Sequence, residues 1–385
     1  MSGLHNLLSQ AKSILERVKV SRMESRLRGE QFNIFHVSGV NHYETIHSAV
    51  IAEFLNPDGS HGQGDTYLKE FLSTIGNNEF LTAFDTSTAS VATESHTPDG
   101  RLDILITNTK GQAVIIENKI YADDQWEQLK RYNDFALKEY HAGNYAILYL
   151  TLWGGEASEQ SGKGVDYTCI SYKDTVLKWL ERCIQISAQK PLIRETMIQY
   201  ANLIKELTNQ TMDTKSKNEL LELMADNAEV VAEIYNNQGD YIKYVWENRI
   251  RPELQEMANE KGLLYEDYNM TCQNHDGKSF TFRSSSWQYT AIRFMSERKS
   301  DIRDLYYGIV SLDGKTPKPQ QKLDVFQDSP NEFWPYGNAW MDSFRHWDMN
   351  TLAYMVKHTD KFVDYIKEKI EMILDELDRK GIQLE

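Results

Sequence analysis

The sequence has few cysteines and no long apolar run. Its 385 residues include three cysteines, none of them in CxxC spacing, which argues against a disulfide framework or a zinc cluster and indicates a reducing compartment. No stretch reaches the roughly 18 apolar residues of a membrane span, and the N-terminus lacks the basic-then-apolar pattern of a secretion signal. We therefore expect a cytoplasmic protein without a membrane partner.

An excess of positive charge and a phosphate-binding P-loop are also missing. The formal net charge is −15, so the chain is not a general nucleic-acid coating protein, and any contact with nucleic acid needs a local basic patch. The glycine-rich stretch 59–64 does not match G-x-x-x-x-G-K-[ST], which argues against a P-loop nucleotide site. The hydrophobic fraction is 41%, which fits a globular protein with a true core, and the length allows two domains.

The most informative stretch runs from residue 101 to residue 132. It reads R-L-D-I-L-I-T-N-T-K-G-Q-A-V-I-I-E-N-K-I, followed by a helix-like segment. Two apolar strands flank a turn in which Gly111 suits the positive-φ position of a three-residue hairpin loop. If residues 109–111 form that loop, Asn108 pairs with Gln112, and Asp103 lies opposite Glu117.

This register predicts a charged group on one face of the hairpin. Directly opposed residues share a face, and so does a residue two positions further along the strand. Asp103, Glu117 and Lys119 would therefore lie together, with Leu102, Ile104, Ile106 and Ile116 on the opposite face. Two adjacent carboxylates repel each other, and a divalent metal is the usual compensation, with Lys119 as an auxiliary positive charge.

A cross-strand ion pair on a solvated sheet face is the alternative explanation for these charges. The apolar run V-I-I-E-N-K-I is instead typical of a buried strand, and charges within a buried strand need a compensating function. Pro98 and Asp99 offer a second candidate carboxylate, but the same register places Asp99 opposite Tyr121, away from Glu117. We therefore take Asp103 as the ligand and Asp99 as a turn residue.

Helices on either side of the hairpin contribute further polar candidates. A helix over about residues 42–55 would present Glu44 and His47 on the face that otherwise carries apolar side chains. A helix after the hairpin, ending at about Tyr140, would place Gln128 and Tyr132 on one face, because they are four residues apart. Glu44 could equally serve only as a helix cap, and His47 alone could be a satisfied half-buried histidine. Tyr132 could be a core residue with Gln128 on the surface.

The pattern of elements predicts three segments. Residues 1–31 form an amphipathic, locally basic helix that either packs or oligomerises through its apolar face or contacts phosphates. Residues 32–209 alternate strands and helices, which places helices against a mixed sheet. Residues 210–385 form a smaller α+β domain that contains two helices over about 217–262, short strands and a final long helix over about 350–381.

The last segment also carries basic residues near aromatic ones. These are Arg293, Arg298, Lys299, Arg303, Lys315, Lys318 and Lys322. They could bind phosphates while the aromatic rings stack on bases. A solvated basic strip beside an aromatic core is the other interpretation.

Two motifs together resemble the PD-(D/E)XK nuclease superfamily. The first is E-x-x-H-S-x-x-I-A-x-F-L-N-P-x-G-x-H-G, from Glu44 to Gly62. The second is R-L-D-I-L-I, then I-I-E-N-K-I, then Q-x-x-x-Y, and it contains Asp103, Glu117 and Lys119. The resemblance covers about residues 40–205 and points to an uncharacterised bacterial branch of the superfamily. Leu102 stands directly before Asp103, so the Pro-Asp pair of the superfamily is displaced.

The resemblance implies an α/β fold, a restriction-endonuclease-like mixed four-stranded sheet flanked by helices. It implies that Asp103, Glu117 and the backbone carbonyl of Asn118 hold Mg²⁺ or Mn²⁺, with Glu44 completing the shell directly or through water. Lys119 would orient the attacking water. Gln128 and Tyr132 would position the substrate backbone or the lysine.

The function expected from these residues is metal-dependent hydrolysis of phosphodiester bonds in nucleic acid, with DNA favoured over RNA. A genome-defence role is implied by the resemblance alone. The alternative is a binding or regulatory module on a nuclease fold that is inactive without a partner. A homodimer or an accessory protein could engage the N-terminal helix or the C-terminal domain.

Overall fold

The computed structural model describes residues 2–40, 43–76, 78–97, 100–121, 124–270, 277–296, 302, 304–312 and 321–384. Its contacts divide the chain into two compact units, Met1–Asn227 and Ala228–Glu385. Among the helices of these ranges, none combines the length and the apolar character that a bilayer crossing requires. Pro98 and Asp99, which we assigned to a turn, lie outside the described residues.

The first unit contains ten α-helices and five strands within its described residues. The helices are α1 (Ser2–Leu27), α2 (Ile34–Val37), α3 (Glu44–Leu55), α4 (Thr66–Thr74), α5 (Glu79–Ala83), α6 (Gln128–Tyr140), α7 (Glu159–Gly162), α8 (Leu177–Ile186), α9 (Pro191–Leu207) and α10 (Thr214–Asp226). The strands are β1 (Ser90–Thr97), β2 (Gly100–Thr107), β3 (Ala113–Lys119), β4 (Tyr145–Thr151) and β5 (Thr168–Ser171). A short 3₁₀ helix (Thr86–Thr88) precedes β1, and a π-helical segment (Tyr172–Val176) leads into α8.

The strands form one mixed sheet in the order β1-β2-β3-β4-β5. Strands β1, β2 and β3 are antiparallel neighbours, whereas β3, β4 and β5 run parallel. The predicted mixed α/β class is therefore confirmed, and the sheet has five strands where the resemblance implied four. The residues of β3 are all buried, because both faces of the sheet are covered.

Helices cover the two faces of this sheet unequally. One face packs against α3, α4, α8 and α9 through a large core that includes Ile51, Phe71, Trp179 and Tyr200. The other face packs against α6 in a smaller cluster, which is formed by Leu102, Ile115, Leu129, Tyr132, Ala136, Ile147 and Tyr149. The charged group predicted on the hairpin lies on this second face, which carries fewer buried apolar side chains than the first.

The placement of Leu102 differs from the prediction. Ile104, Ile106 and Ile116 share the large core as expected, but Leu102 belongs to the cluster on the α6 side. The difference coincides with a break in regular pairing at Asp103, where the β2–β3 pairs end at Ile104 and the β1–β2 pairs are interrupted between Thr93–Ile104 and Ser95–Leu102. Glu94, opposite this break in β1, has a left-handed backbone with φ of 52°.

The N-terminal helix packs along α10. Leu7, Ile14 and Val18 are its buried apolar residues, and Arg17 forms an ion pair with Glu219 of α10. Helix α10 therefore lies in the first unit, although our sequence-based boundary near residue 210 assigned it to the second domain. That boundary, as a division of function, stays a prediction.

The second unit is an antiparallel sheet covered by helices, which agrees with the predicted α+β class. Its strands are β6 (Leu264–Tyr268), β7 (Lys278–Arg283), β8 (Thr290–Ser296), β9 (Tyr306–Ser311) and β10 (Asn338–Trp340), in the order β10-β9-β8-β7-β6. Its helices are α11 (Ala228–Asn236), α12 (Gln238–Val245), α13 (Arg251–Glu260), α14 (Met349–Lys357) and α15 (Thr359–Lys380), with a π-helical segment (Trp246–Ile250) before α13.

Two predictions of helices in the C-terminal part of the chain were too simple. The segment predicted as two helices over about 217–262 contains four α-helices, α10 to α13, and the predicted final helix is divided into α14 and α15 at His358.

Of the predicted basic cluster, Arg293 donates to Thr281 Oγ1 and Lys322 donates to the carbonyl of Gln327. Its other members, Arg298, Lys299, Arg303, Lys315 and Lys318, lie outside the described residues.

Candidate active site

The β2–β3 hairpin has the predicted register. Thr107 pairs with Ala113 and Ile104 pairs with Ile116, and Gly111 has a φ of 73° in the turn. The backbone ladder ends at Ile104, so Asp103 does not form the expected backbone pair with Glu117.

The side chain of Asp103, and not its backbone, bonds to β3 at this point. The backbone N–H of Asn118 donates to Asp103 Oδ2 at 2.8 Å. This bond holds the carboxylate beside the end of β3, next to Glu117.

Glu117 is held at one carboxylate oxygen only. Lys119 Nζ and Gln128 Nε2 each lie 2.7 Å from Glu117 Oε1. Gln128 Nε2 is also 3.2 Å from the hydroxyl of Tyr132, which in turn donates to the carbonyl of Arg101 at 2.6 Å. Glu117 Oε2 is buried and has no hydrogen-bond partner among the described residues. The structure therefore brings together five predicted residues: Asp103, Glu117, Lys119, Gln128 and Tyr132.

The electrostatics of this group are those of carboxylates short of positive charge. Burial and the neighbouring Asp103 carboxylate raise the pKa of Glu117 to about 8. Burial also raises the pKa of Asp103, although the Asn118 N–H and Lys119 oppose the shift. Burial alone would lower the pKa of Lys119, but Glu117 outweighs it and the pKa is raised. One ammonium therefore does not compensate for both carboxylates.

Glu44 lies at the end of β3, where its carboxylate binds the chain that leaves the strand. Glu44 Oε1 accepts from the backbone N–H of Ile120 at 2.7 Å and from that of Tyr121 at 3.2 Å. Because Glu44 is the first residue of α3, the start of this helix is tied directly to the end of the strand that carries Glu117 and Lys119.

Asn118 makes a second connection between β3 and α3. Its side-chain amide donates to the carbonyl of Glu44 at 3.1 Å and to Ser48 Oγ at 3.0 Å. Its side-chain oxygen accepts from the hydroxyl of Tyr172 at 2.7 Å. The side chain points to the face of the sheet opposite Glu117, so only the backbone carbonyl could serve as the metal ligand that the resemblance implies.

His47 belongs to the core and does not line the site. Its Nδ1 lies 3.0 Å from the hydroxyl of Tyr200, and its ring makes an edge contact with Tyr172. The expectation that Glu44 and His47 both face a site therefore fails for His47. Glu44, at the start of α3, binds the backbone that leaves β3, whereas His47 packs against two tyrosines of later elements.

Glu94 is a residue near the site that the sequence analysis missed. It occupies the interruption in the β1–β2 pairing opposite Asp103, and its charge contributes to the raised pKa of Asp103. Arg101 Nε lies 2.6 Å from Glu94 Oε2, but both carboxylate oxygens are buried, and no described residue makes an aligned hydrogen bond to them. A lone glutamate in the strand sequence S-V-A-T-E-S was the available signal.

The donor atoms at this place fit a hard divalent cation with an incomplete protein shell. Among the described residues, no group of three or more Asp, Glu, His or Cys side chains converges as a ready-made metal cage. The buried, unpartnered Glu117 Oε2 and the Asp103 carboxylate nevertheless offer two oxygen donors in need of positive charge. Mg²⁺ is commonly bound by one or two carboxylates together with waters and substrate phosphates, and this donor set suits that mode.

Comparison with known protein families gave a match over part of the chain. Residues 32–202 match the model of the PD-(D/E)XK nuclease superfamily, and this range includes every predicted site residue. Searches among curated proteins and among solved structures gave no match. The match supports membership of residues 32–202 in the PD-(D/E)XK nuclease superfamily.

Proposed function

We propose that this protein hydrolyses phosphodiester bonds in nucleic acid, with DNA as the favoured substrate and Mg²⁺ or Mn²⁺ as the cofactor. The observation that supports the proposal most strongly is the state of Glu117. One of its oxygens is fixed by Lys119 and Gln128, and the other is buried beside Asp103 without a hydrogen-bond partner in the described part of the chain. Such an arrangement costs stability unless a cation compensates it, and it is the arrangement that a nuclease of this superfamily would need.

The proposed roles follow from the contacts. Asp103, Glu117 and the backbone carbonyl of Asn118 would hold the cation, which when bound supplies Lewis acidity to the phosphate and lowers the pKa of a nearby water. Lys119 would orient the attacking water and offset the negative charge that develops on the phosphate. The ammonium can do so because Glu117 holds it at the end of β3.

Gln128 and Tyr132 act as positioning residues in this proposal. Both are buried, and their side-chain hydrogen bonds are with Glu117, with each other, with the carbonyl of Arg101 and with the backbone N–H of Gln125. The substrate-positioning role implied by the resemblance is less suited to such buried side chains. Glu44 fixes the end of β3, and its role as a metal ligand stays a prediction.

Cleavage assays test the proposal directly. Supercoiled plasmid, single-stranded DNA and RNA are incubated with the full chain and Mg²⁺ or Mn²⁺, and the ends of the products are analysed. We expect metal-dependent cleavage that leaves 5′-phosphate and 3′-hydroxyl ends and that is lost in Lys119→Ala. Lys130→Ala is a matched control, because Lys130 pairs with Glu127 on the exposed side of α6. Activity no higher than that of Lys119→Ala on all three substrates would contradict the proposal, and cleavage of RNA alone would change the substrate.

A nuclease-fold module that depends on a partner is the second candidate. The family match ends at residue 202, whereas Ala228–Glu385 forms a unit with its own apolar core. Calorimetry that detects no divalent-metal binding, together with recovery of a partner through residues 210–385, would favour this candidate. A homodimer, a genome-defence role and a cytoplasmic location also stay predictions.

A further inference from the structure

Three parallel strands end at the same edge of the first sheet. Lys119 of β3 is in register with Thr151 of β4, and Thr151 is in register with Ser171 of β5. The residues that follow these positions therefore lie along the edge where Lys119 is located. Trp153 lies two residues beyond Thr151, and Lys173 lies two residues beyond Ser171. Neither residue has a part in the proposed chemistry.

The turn that carries Trp153 is tightly closed. Thr151 Oγ1 accepts from the backbone N–H groups of Gly154 at 2.8 Å and Gly155 at 3.0 Å. Gly154 has a φ of 77°, and a Cβ at this position would lie 3.3 Å from the Cβ of Ser171. The chain is thus fixed against the end of β5, while the indole of Trp153 stays 53% exposed. An exposed indole on such a well-bonded turn is available to a ligand at little conformational cost.

Lys173 is positioned beside that indole by the backbone. Its N–H donates to the carbonyl of Leu152 at 3.2 Å, and its own carbonyl accepts from Gln210 Nε2 at 3.1 Å. Its Nζ lies 5.8 Å from the centroid of the Trp153 ring. Within the part of the chain that the structure describes, Lys173 has no carboxylate partner, so its charge is not neutralised by an ion pair.

We infer that Trp153 and Lys173 form a binding position for one unpaired nucleotide of the substrate strand. The indole would stack on the base and the ammonium would bind an adjacent phosphate, which is how proteins commonly bind single strands. In a duplex the faces of the bases are stacked within the helix, so only an unpaired base can offer its face to Trp153. A lone cation–π pair is common on protein surfaces, but this one lies at the strand edge that carries Lys119. The inference rests on the proposed nuclease function and narrows its substrate to nucleic acid with an unpaired segment.

Binding measurements with defined probes test this inference. The full chain carries Lys119→Ala to suppress cleavage, and fluorescence anisotropy follows a labelled single-stranded oligonucleotide, an abasic strand of the same length and the corresponding duplex, each as DNA and as RNA. We expect Trp153→Ala to weaken binding of the single strand by about 5- to 100-fold. Its affinity for the abasic strand should stay within about 2-fold of the parent value. Trp153→Phe should retain most of the affinity, because a phenyl ring still stacks.

Lys173→Gln should weaken binding of the single strand and of the abasic strand to the same extent. The slope of affinity against salt concentration should fall by the equivalent of about one phosphate contact. Phe32→Ala and Lys178→Gln are matched controls, since Phe32 is an exposed aromatic residue and Lys178 is an exposed lysine elsewhere in the first unit. Neither control should change the affinity.

Three results would overturn the inference: unchanged binding in Trp153→Ala, an equal loss on the abasic strand, or tighter binding of the duplex by the parent protein. The cleavage assay separates this failure from failure of the proposed function. Cleavage by the unsubstituted protein together with any of these three results would contradict only the Trp153–Lys173 position. Absence of both cleavage and binding would contradict both proposals.

Discussion

The side-chain amide of Gln128 donates to the same oxygen of Glu117 that Lys119 approaches, and both distances are 2.7 Å. Two donors at one carboxylate oxygen fix the plane of the carboxylate. The other oxygen, Glu117 Oε2, is buried and has no hydrogen-bond partner within the ranges that the structure describes. Gln128 therefore acts on the site by orienting Glu117, and the four-residue spacing to Tyr132 keeps Gln128 itself in place through their 3.2 Å contact.

Gln128→Ala should lower kcat by about 10- to 100-fold, which is typical for residues that orient a metal ligand from outside the ligand set. The loss follows because Glu117 would be free to rotate while Lys119 stays in place. Steady-state kinetics and calorimetric Mg²⁺ titration measure the effect, with Gln160→Ala on the exposed surface as the control. Unchanged kcat and unchanged metal affinity in Gln128→Ala would contradict the orienting role.

Glu117 should make the metal-free protein less stable as the pH rises. Its pKa is raised from 4.5 to about 8 in the folded state, so the folded state binds more protons than the unfolded state between these two values. The free energy of unfolding then falls as the pH rises through this window. We expect the melting temperature of the metal-free protein to fall between about pH 5 and pH 8, and less so in Glu117→Gln.

Added Mg²⁺ should raise the melting temperature more at about pH 8 than at pH 5, because the cation binds the ionised carboxylate. Differential scanning calorimetry at a series of pH values measures both effects. Parallel curves for Glu117→Gln and the unsubstituted protein across the whole window would argue against this role of Glu117.

Asn118→Ala should destabilise the fold and should not remove a metal ligand. The substitution leaves the hydroxyl of Tyr172 and the carbonyl of Glu44 without their buried partner, which we expect to cost about 2–4 kcal/mol. The backbone carbonyl of residue 118 is retained, so Mg²⁺ affinity of the folded protein should change by less than about 3-fold. Urea unfolding and calorimetry separate the two quantities. A loss of metal affinity without loss of stability would show that the side chain is a ligand.

Glu94→Gln tests the carboxylate that the strand interruption places opposite Asp103. Removal of its charge should lower the pKa of Asp103 and reduce Mg²⁺ affinity by about 10-fold, because the cation loses a nearby negative charge. The metal-free protein should become more stable at neutral pH, since one source of repulsion is gone. Calorimetry measures the affinity, and Glu139→Gln on the exposed surface of α6 is the control. Tighter Mg²⁺ binding in Glu94→Gln would contradict this assignment.

Asp267 should be important for the stability of the second unit. Its carboxylate accepts from Arg251 at 2.6 and 3.0 Å, from the indole of Trp246 at 3.2 Å and from the hydroxyl of Tyr265 at 3.1 Å. Asp267→Ala should reduce the free energy of unfolding by about 3 kcal/mol. Glu266→Ala, at the exposed neighbouring position, should change it by less than about 0.5 kcal/mol. Equal urea midpoints for the two variants would contradict this role.

Local sequence chemistry was sufficient to predict the hairpin and much of the site. The turn at Gly111 sets the register, and the register together with the four-residue spacing of Gln128 and Tyr132 brings those side chains near Glu117. Non-local features were not predictable in this way. Regular pairing breaks at Asp103 and Leu102 lies on the other face, and nothing in the alternation of residues signals that break.

Contacts between distant segments account for the other differences. His47 lies in the core because Tyr172 and Tyr200 come from later elements, and no local pattern reveals that they enclose it. The division of the final helix at His358 is likewise absent from its apolar periodicity. Periodicity predicts which side of an element is buried, whereas the partners on that side depend on the whole chain.

The two-sided bonding of Asn118 links the two faces of the first sheet. Its main chain binds Asp103 on one side of the sheet, and its side chain binds the first two turns of α3 on the other. A single residue therefore separates the carboxylate from the helix behind the sheet. The position of α3 and the position of the Asp103 carboxylate are in this way coupled through one residue.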